Sequence, residues 1–193
     1  FFFVFWSALA WFMFKISLKQ DENGDIKLTR LRENVSAPAM VFFALTLTFA
    51  AVDYIMALNY HWISTMIGVY YFAGCFMTCM ATLSILHLTL QKGGKLKGFV
   101  TTEHYHDMGK LLFGFVFFWG YIAFSQFMLI WYANMPEGTD WYQARTWGEW
   151  ETYTRLLIAG HFFIPFVGLI SRHAKRRTKI LKFWACWLIV MQW

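Results

Sequence analysis

The chain has 193 residues, of which 59% are hydrophobic, 22% aromatic and only 15% charged. This composition excludes an ordinary water-soluble domain, because a soluble core of this length does not need so much apolar surface. The formal net charge of +6 has to be interpreted by its position along the chain before it suggests a nucleic acid partner.

Six apolar runs cover most of the chain and predict an all-α, polytopic transmembrane helix bundle. A run of ~20 uncharged residues is long enough to cross the ~30 Å hydrocarbon core as a helix. The first and last runs continue to the ends of the sequence, so we expect residues 1–193 to be a single bundle fragment, truncated at both ends. The predicted spans are Phe1–Leu18, Ala37–Leu58, Thr65–Leu90, Leu111–Ala133, Tyr153–Ser171 and Ile180–Trp193.

Turn and proline signals mark several helix ends. Asn23-Gly24 predicts a turn within the hydrophilic loop that separates the first two spans. Pro38 is predicted in the first turn of the second helix, where a missing N–H costs nothing. Pro136, two residues after Asn134, predicts the end of the fourth helix.

Lysine and arginine alternate between successive loops. The loops at 19–36, 91–110 and 172–179 are rich in both residues, whereas the second loop has neither and the fourth has only Arg145. Cytoplasmic loops carry such an excess, so the odd loops are predicted to be cytoplasmic. The net positive charge is therefore a topology signal, and we expect no nucleic acid partner.

Few ionisable residues lie within or beside the apolar runs. A buried charge near the bilayer centre costs about 2.5–3.5 kcal/mol on insertion scales, so each such residue needs a partner, water or a function. Asp53 lies in the outward third of the second span, and His161 lies near the middle of the fifth, four residues before Pro165. Histidine titrates near neutral pH, and desolvation moves carboxylates towards it, so these groups are suited to relay protons. The predicted proton path comprises Asp53, His161, His87, His104, His106, Asp107 and Gln126.

Structural roles remain open for the same residues. Asp53 could hold an interhelical hydrogen bond, His161 could be a satisfied core histidine, and His104 and His106 could be solvated. No set of four ligands predicts a zinc site, and no facing histidine pair predicts a haem. We therefore expect neither a metal nor another cofactor bound to this chain.

Two long stretches resemble a known family. Val52–Gly74 (VDYIMALNYHWISTMIGVYYFAG) and Glu103–Glu137 (EHYHDMGKLLFGFVFFWGYIAFSQFMLIWYANMPE) are similar to the ActF family of membrane subunits of bacterial alternative complex III, a respiratory quinol:electron acceptor oxidoreductase. Ser171–Arg176 (SRHAKR) fits the same pattern. These subunits belong to the polysulfide-reductase membrane-subunit (NrfD-like) superfamily, which implies that this fragment is part of a larger subunit of two four-helix bundles.

The resemblance implies a set of partners and a location. Iron–sulfur clusters and haem c would be carried by an iron–sulfur subunit and by cytochrome c subunits, and a paralogous NrfD-like subunit would lie alongside. The chain would reside among lipids of the bacterial cytoplasmic membrane. It would be a scaffold with a proton path coupled to quinol oxidation.

Two other functions stay open. The chain could be a catalytic subunit that binds quinone or quinol at Asp53 and His61, which fall in a matched Asp…His-Trp-x-Ser-Thr motif. It could also be a purely structural anchor, in which dry apolar layers interrupt the polar residues.

Overall fold

The computed structural model describes residues 1–59, 61–96 and 98–192, and its regular elements are all helices, with no strand among those residues. This confirms the predicted all-α class. The chain divides into two compact units, Phe1–Asn59 and Tyr60–Trp193.

The first unit is a helical hairpin. Helix α1 (Phe2–Asn23) and helix α2 (Ile26–Tyr54) are followed by a 3₁₀ turn at Met56–Leu58. Gly24 caps α1 with a φ of 62°, a left-handed conformation that favours glycine. Asp25 then caps α2, because its side chain accepts a hydrogen bond of 2.9 Å from the amide of Lys27. The predicted turn at Asn23-Gly24 is confirmed.

Two other expectations for this hairpin are wrong. The sequence predicts a loop at residues 19–36, but all except the turn are helical, because Lys, Arg, Gln, Glu and Leu are strong helix formers in water. As a result, Pro38 lies inside α2 rather than in its first turn.

The second unit contains the other helices. They are α3 (Ile67–Lys92), α4 (Thr102–Ala133), α5 (Pro136–Thr146), a 3₁₀ turn (Gly148–Trp150), α6 (Glu151–Leu157), a π-helix (Ile158–Phe163), α7 (Ile164–Ile170), α8 (Arg172–Arg176) and α9 (Thr178–Gln192). Asn134, with a φ of 50°, ends α4 before Pro136, as predicted. Helix α4 begins nine residues before the predicted Leu111, because Thr101 and His104 form a capping box at its start.

Five stretches of the described residues are long and apolar enough to cross a membrane, so the chain is a multi-pass membrane protein. The sixth predicted span corresponds to α9, whose 15 residues are fewer than the ~20 that cross a bilayer. The crossing of the membrane by α9 stays a prediction. The five stretches are Phe2–Asn23, Ile26–Leu58, Ile67–Lys92, Thr102–Ala133 and Gly148–Ile170.

The second unit has its own apolar core. It is formed by buried side chains of α3, α4, α7 and α9, among them Met77, Leu112, Leu169 and Leu188. Gln192, at the far end of α9, packs on Gly74 near the beginning of α3, so the two helices run antiparallel. This packing brings the end of α9 to the level of the π-helix.

Candidate functional site

The π-helix at Ile158–Phe163 exists where a proline removes a backbone donor. In this element the amide of Ile164 bonds to the carbonyl of Ala159, five residues back. The next bond in that series would join residue 165 to the carbonyl of Gly160, but Pro165 has no N–H. The indole Nε1 of Trp187 donates to the Gly160 carbonyl instead, at 2.8 Å. A side chain of α9 therefore satisfies the carbonyl that Pro165 leaves open.

Two glycines let α9 approach this widened turn. A Cβ atom on Gly160 would lie 2.5 Å from the Met191 methyl carbon, and one on Gly74 would lie 2.9 Å from the Gln192 amide. Such distances are too short for packed atoms. Glycine at both positions thus places the last described turn of α9 against the π-helix and α3.

His161 is the most buried titratable side chain of this region, at 1% exposure. Its Nδ1 lies 3.3 Å from the backbone carbonyl of Met191, and its ring centroid lies 4.2 Å from that of Trp119. Its Nε2 is buried and has no hydrogen-bond partner among the described residues. A buried polar atom of this kind marks a place where water or a ligand is expected.

A cavity of about 150 Å³ adjoins His161. This volume has room for several water molecules, and cavities of about 150 Å³ also accept a single six-membered ring. The polar groups around it come from two tyrosines, a tryptophan, a glutamine and the histidine itself. It is lined by Tyr70, Tyr71, Gly74, Trp119, Leu157, His161, Met191 and Gln192.

The predicted site residues at the start of α4 are brought together, but each has a partner within α4, at its N-cap or on α8. We call Glu103, His104, His106 and Asp107 the α4 mouth. Within it, His104 Nδ1 accepts from the Thr101 amide at 3.1 Å, and Asp107 pairs with Lys110 at 2.7 Å. Glu103 lies 3.8 Å from His106 and also pairs with Arg176 of α8. The mouth is therefore also a structural joint between α4 and α8.

The α4 mouth is not adjacent to His161. Trp119, which contacts His161, is twelve residues beyond Asp107 on α4, about 18 Å at 1.5 Å per residue. Leu112 and Val116 fill that interval on the same helix, and both are fully buried. Buried apolar side chains of α4 thus lie between His161 and the α4 mouth, two parts of the predicted proton path.

The other predicted residues lie apart. His87 is half-buried near the end of α3, with a buried Nδ1 that has no partner among the described residues. Gln126 is 6% exposed and shares the buried face of α4 with Trp119. Asp53 is exposed in the last turn of α2, in the first unit, and His61 is exposed in the second unit.

Lys175 is a buried cation beside the α4 mouth. Its side chain is 8% exposed, its stem packs on Gly109, and its Nζ donates to the carbonyl of Ile170 at 3.2 Å. The ammonium also lies 4.6 Å from the ring centroid of Phe113. Burial, together with the positive charge of Lys110, lowers the pKa of Lys175.

Sequence reasoning singled out His161 as a candidate but gave no signal for most of the residues around it. Tyr70, Trp119, Trp187 and Met191 come from three helices and lie in apolar runs, where an aromatic residue or a methionine gives no signal. The one usable clue was Pro165, whose missing amide predicts a disturbed helix next to His161. No protein-family model matches the chain, and no curated protein matches it.

Proposed function

We propose that the chain is an integral membrane subunit of a respiratory quinol:electron acceptor oxidoreductase of the alternative complex III type, and that it exchanges protons at His161. The observation that carries the proton role is the buried, unpartnered Nε2 of His161 beside a cavity large enough for water. The resemblance of Val52–Gly74 and Glu103–Glu137 supports the assignment to the complex. Partner subunits would carry the electrons.

The hydrogen bond of His161 sets its proton-accepting atom. The Met191 carbonyl can only accept, so Nδ1 carries the hydrogen in the neutral ring. Nε2 then offers a lone pair to a hydroxyl donor, such as water or a quinol. A neutral imidazole held in this tautomer is a general base, and it becomes an acid once Nε2 is protonated.

Apolar packing gives this exchange a direction. Leu112 and Val116 lie between His161 and the α4 mouth, while Tyr70, in the first turn of α3, lines the cavity. With the positively charged loops inside, the first turn of α3 faces outward. We infer that His161 exchanges protons with the outer side, where protons from quinol oxidation would be released.

The test is a His161→Gln substitution in the purified complex, reconstituted in vesicles. Quinol oxidation should continue, while the number of protons released per electron should fall, because glutamine cannot titrate. His173→Gln is the matched control, since His173 is exposed on α8. An unchanged proton-to-electron ratio in an assembled His161→Gln complex would contradict the proposal.

A quinol-binding role is the second candidate, and the aromatic lining of the cavity favours it. Tyr70, Tyr71 and Trp119 surround a volume that fits one ring, beside an acceptor nitrogen for a quinol hydroxyl. In that case His161→Gln should raise the KM for quinol by a larger factor than it changes the number of protons released per electron. A structural anchor would show neither effect.

A further inference from the structure

One face of α9 is an exposed stripe that changes from cationic to apolar along the helix. Lys179, Lys182, Phe183, Cys186 and Val190 are all exposed and follow the 3- and 4-residue spacing of a single helix face. We call these five residues the α9 stripe. The opposite face, with Leu181, Ala185 and Leu188, is buried against the core. The stripe therefore has a charged head and an apolar tail.

Acidic side chains do not neutralise the head of the stripe. Among the described residues, carboxylates pair with Arg176 and Lys110, but none forms an ion pair with Arg172, Arg177, Lys179 or Lys182. The first turn of α9 contains no acidic residue either. Cations gathered at a helix N-terminus repel both one another and the positive end of the helix dipole. An anion at this place would relieve that repulsion.

Exposed apolar side chains also occur on a second helix, α7. Val167 and Ile170, in the last turns of α7, are 68% and 57% exposed, and Phe183 of α9 is 56% exposed. From Lys182 to Val190 the stripe rises about 12 Å, which matches the upper part of an acyl chain. A soluble phosphate would match the cations but leave this apolar length unused.

We propose that the α9 stripe binds an anionic phospholipid, with its phosphate on Lys179 and Lys182 and an acyl chain along Phe183 and Val190. The proposal rests on a multi-pass membrane protein with the predicted orientation, and not on the respiratory function. The positively charged loops are predicted to be cytoplasmic, and the cytoplasmic leaflet is rich in anionic lipid, so the charge agrees with the predicted location. The bound lipid would act as a structural counter-ion for this end of the bundle.

The experiment uses the purified native assembly in phosphatidylcholine vesicles that contain a phospholipid with a diazirine in its acyl chain. The probe lipid is phosphatidylglycerol in one sample and phosphatidylcholine in the other, and labelled peptides are quantified by mass spectrometry. We expect the α9 peptide to be labelled preferentially by phosphatidylglycerol. Lys179→Gln with Lys182→Gln should lower that preference about thirtyfold or abolish it.

Lys92→Gln with Lys95→Gln is the matched control, because it removes the same charge from two exposed positions at the end of α3 and just after it, and it should keep the preference. Equal labelling of wild-type α9 by both lipids would overturn the proposal, as would a preference that the α9 double variant retains. Absence of label from α9 would also overturn it, because a protein partner would then cover the stripe. Glycerol 3-phosphate should not compete, and competition would assign the cations to a soluble anion instead.

Discussion

At the scale of single residues, the carbonyl of Gly160 lacks a backbone donor because of Pro165 and accepts a hydrogen bond from Trp187 instead. The indole N–H donates to the Gly160 oxygen because Pro165 has no amide hydrogen to offer. The missing amide of Pro165 explains why Trp187 donates here, and the indole donor explains why a proline is tolerated at position 165. The pair also holds the turn that carries His161.

This pairing predicts a non-additive double variant. Trp187→Phe keeps an aromatic ring but leaves the Gly160 carbonyl without its donor, which should cost about 1–3 kcal/mol of unfolding free energy. In a Pro165→Ala background the new amide supplies a donor, so the same substitution should cost less. Denaturant unfolding in detergent measures both effects, with the exposed Trp11→Phe as control. Equal costs in the two backgrounds would show that the bond does not compensate for Pro165.

The buried amine of Lys175 should make the free energy of unfolding depend on pH. Because the charged amine is disfavoured by burial, its pKa in the folded state lies below that in the unfolded state. Between those two values the unfolded chain binds more protons, so stability should rise as the pH increases towards the unfolded pKa of ~10.4. Lys175→Met should flatten the rise in thermal midpoint as the pH increases towards ~10. Lys92→Met, at an exposed position, should leave it intact, and a rise of the same size in Lys175→Met would refute the assignment.

At this scale the sequence identified a titratable residue in an apolar span, His161, but it did not predict which side chains surround that residue. His161 stood out because a titratable group in an apolar span needs a reason. Met191 and Trp119 did not, since contacts across 30 and 42 positions of the chain depend on helix packing that no local pattern encodes. The roles of the predicted proton-path residues stay predictions.

At the scale of helices, close approach depends on which glycines face a neighbour. A Cβ on Gly168 would lie 1.9 Å from the Trp184 ring of α9, whereas one on Gly114 would meet nothing within 4 Å. Gly168→Val should therefore separate α7 from α9 and lower the unfolding free energy by about 2 kcal/mol or more. Gly114→Ala should be neutral or slightly stabilising. The thermal midpoints of the two variants test this, and similar midpoints would contradict it.

The helix boundaries show what hydropathy can and cannot predict. The apolar runs marked the stretches able to cross a membrane, but α1, α2 and α4 extend well beyond them into polar segments. Helices do not have to end at the edge of an apolar run, because backbone hydrogen bonds still favour helix where strong helix formers continue. Pro38 was misplaced for this reason, since its position relative to the first turn followed from the wrong start of α2.

At the scale of the whole molecule, composition was sufficient for the fold class. A chain so rich in apolar residues can satisfy its backbone in a membrane only as helices or a closed barrel, and runs of ~20 residues select helices. The division into Phe1–Asn59 and Tyr60–Trp193 did not follow from composition. It reflects which helices share a buried core. Helices α3, α4, α7 and α9 share one, and no local sequence pattern predicts which helices pack together.

The depth of His161 has an electrical consequence. It lies near the middle of the stretch Gly148–Ile170, so a proton that moves between its ring and one surface crosses about half of the membrane voltage. That work is about 1.15 kcal/mol per 100 mV, enough to change the ratio of protonated to neutral His161 roughly sevenfold. If His161 exchanges protons with one side only, an energised membrane alters its protonation without any change in the pH of either compartment.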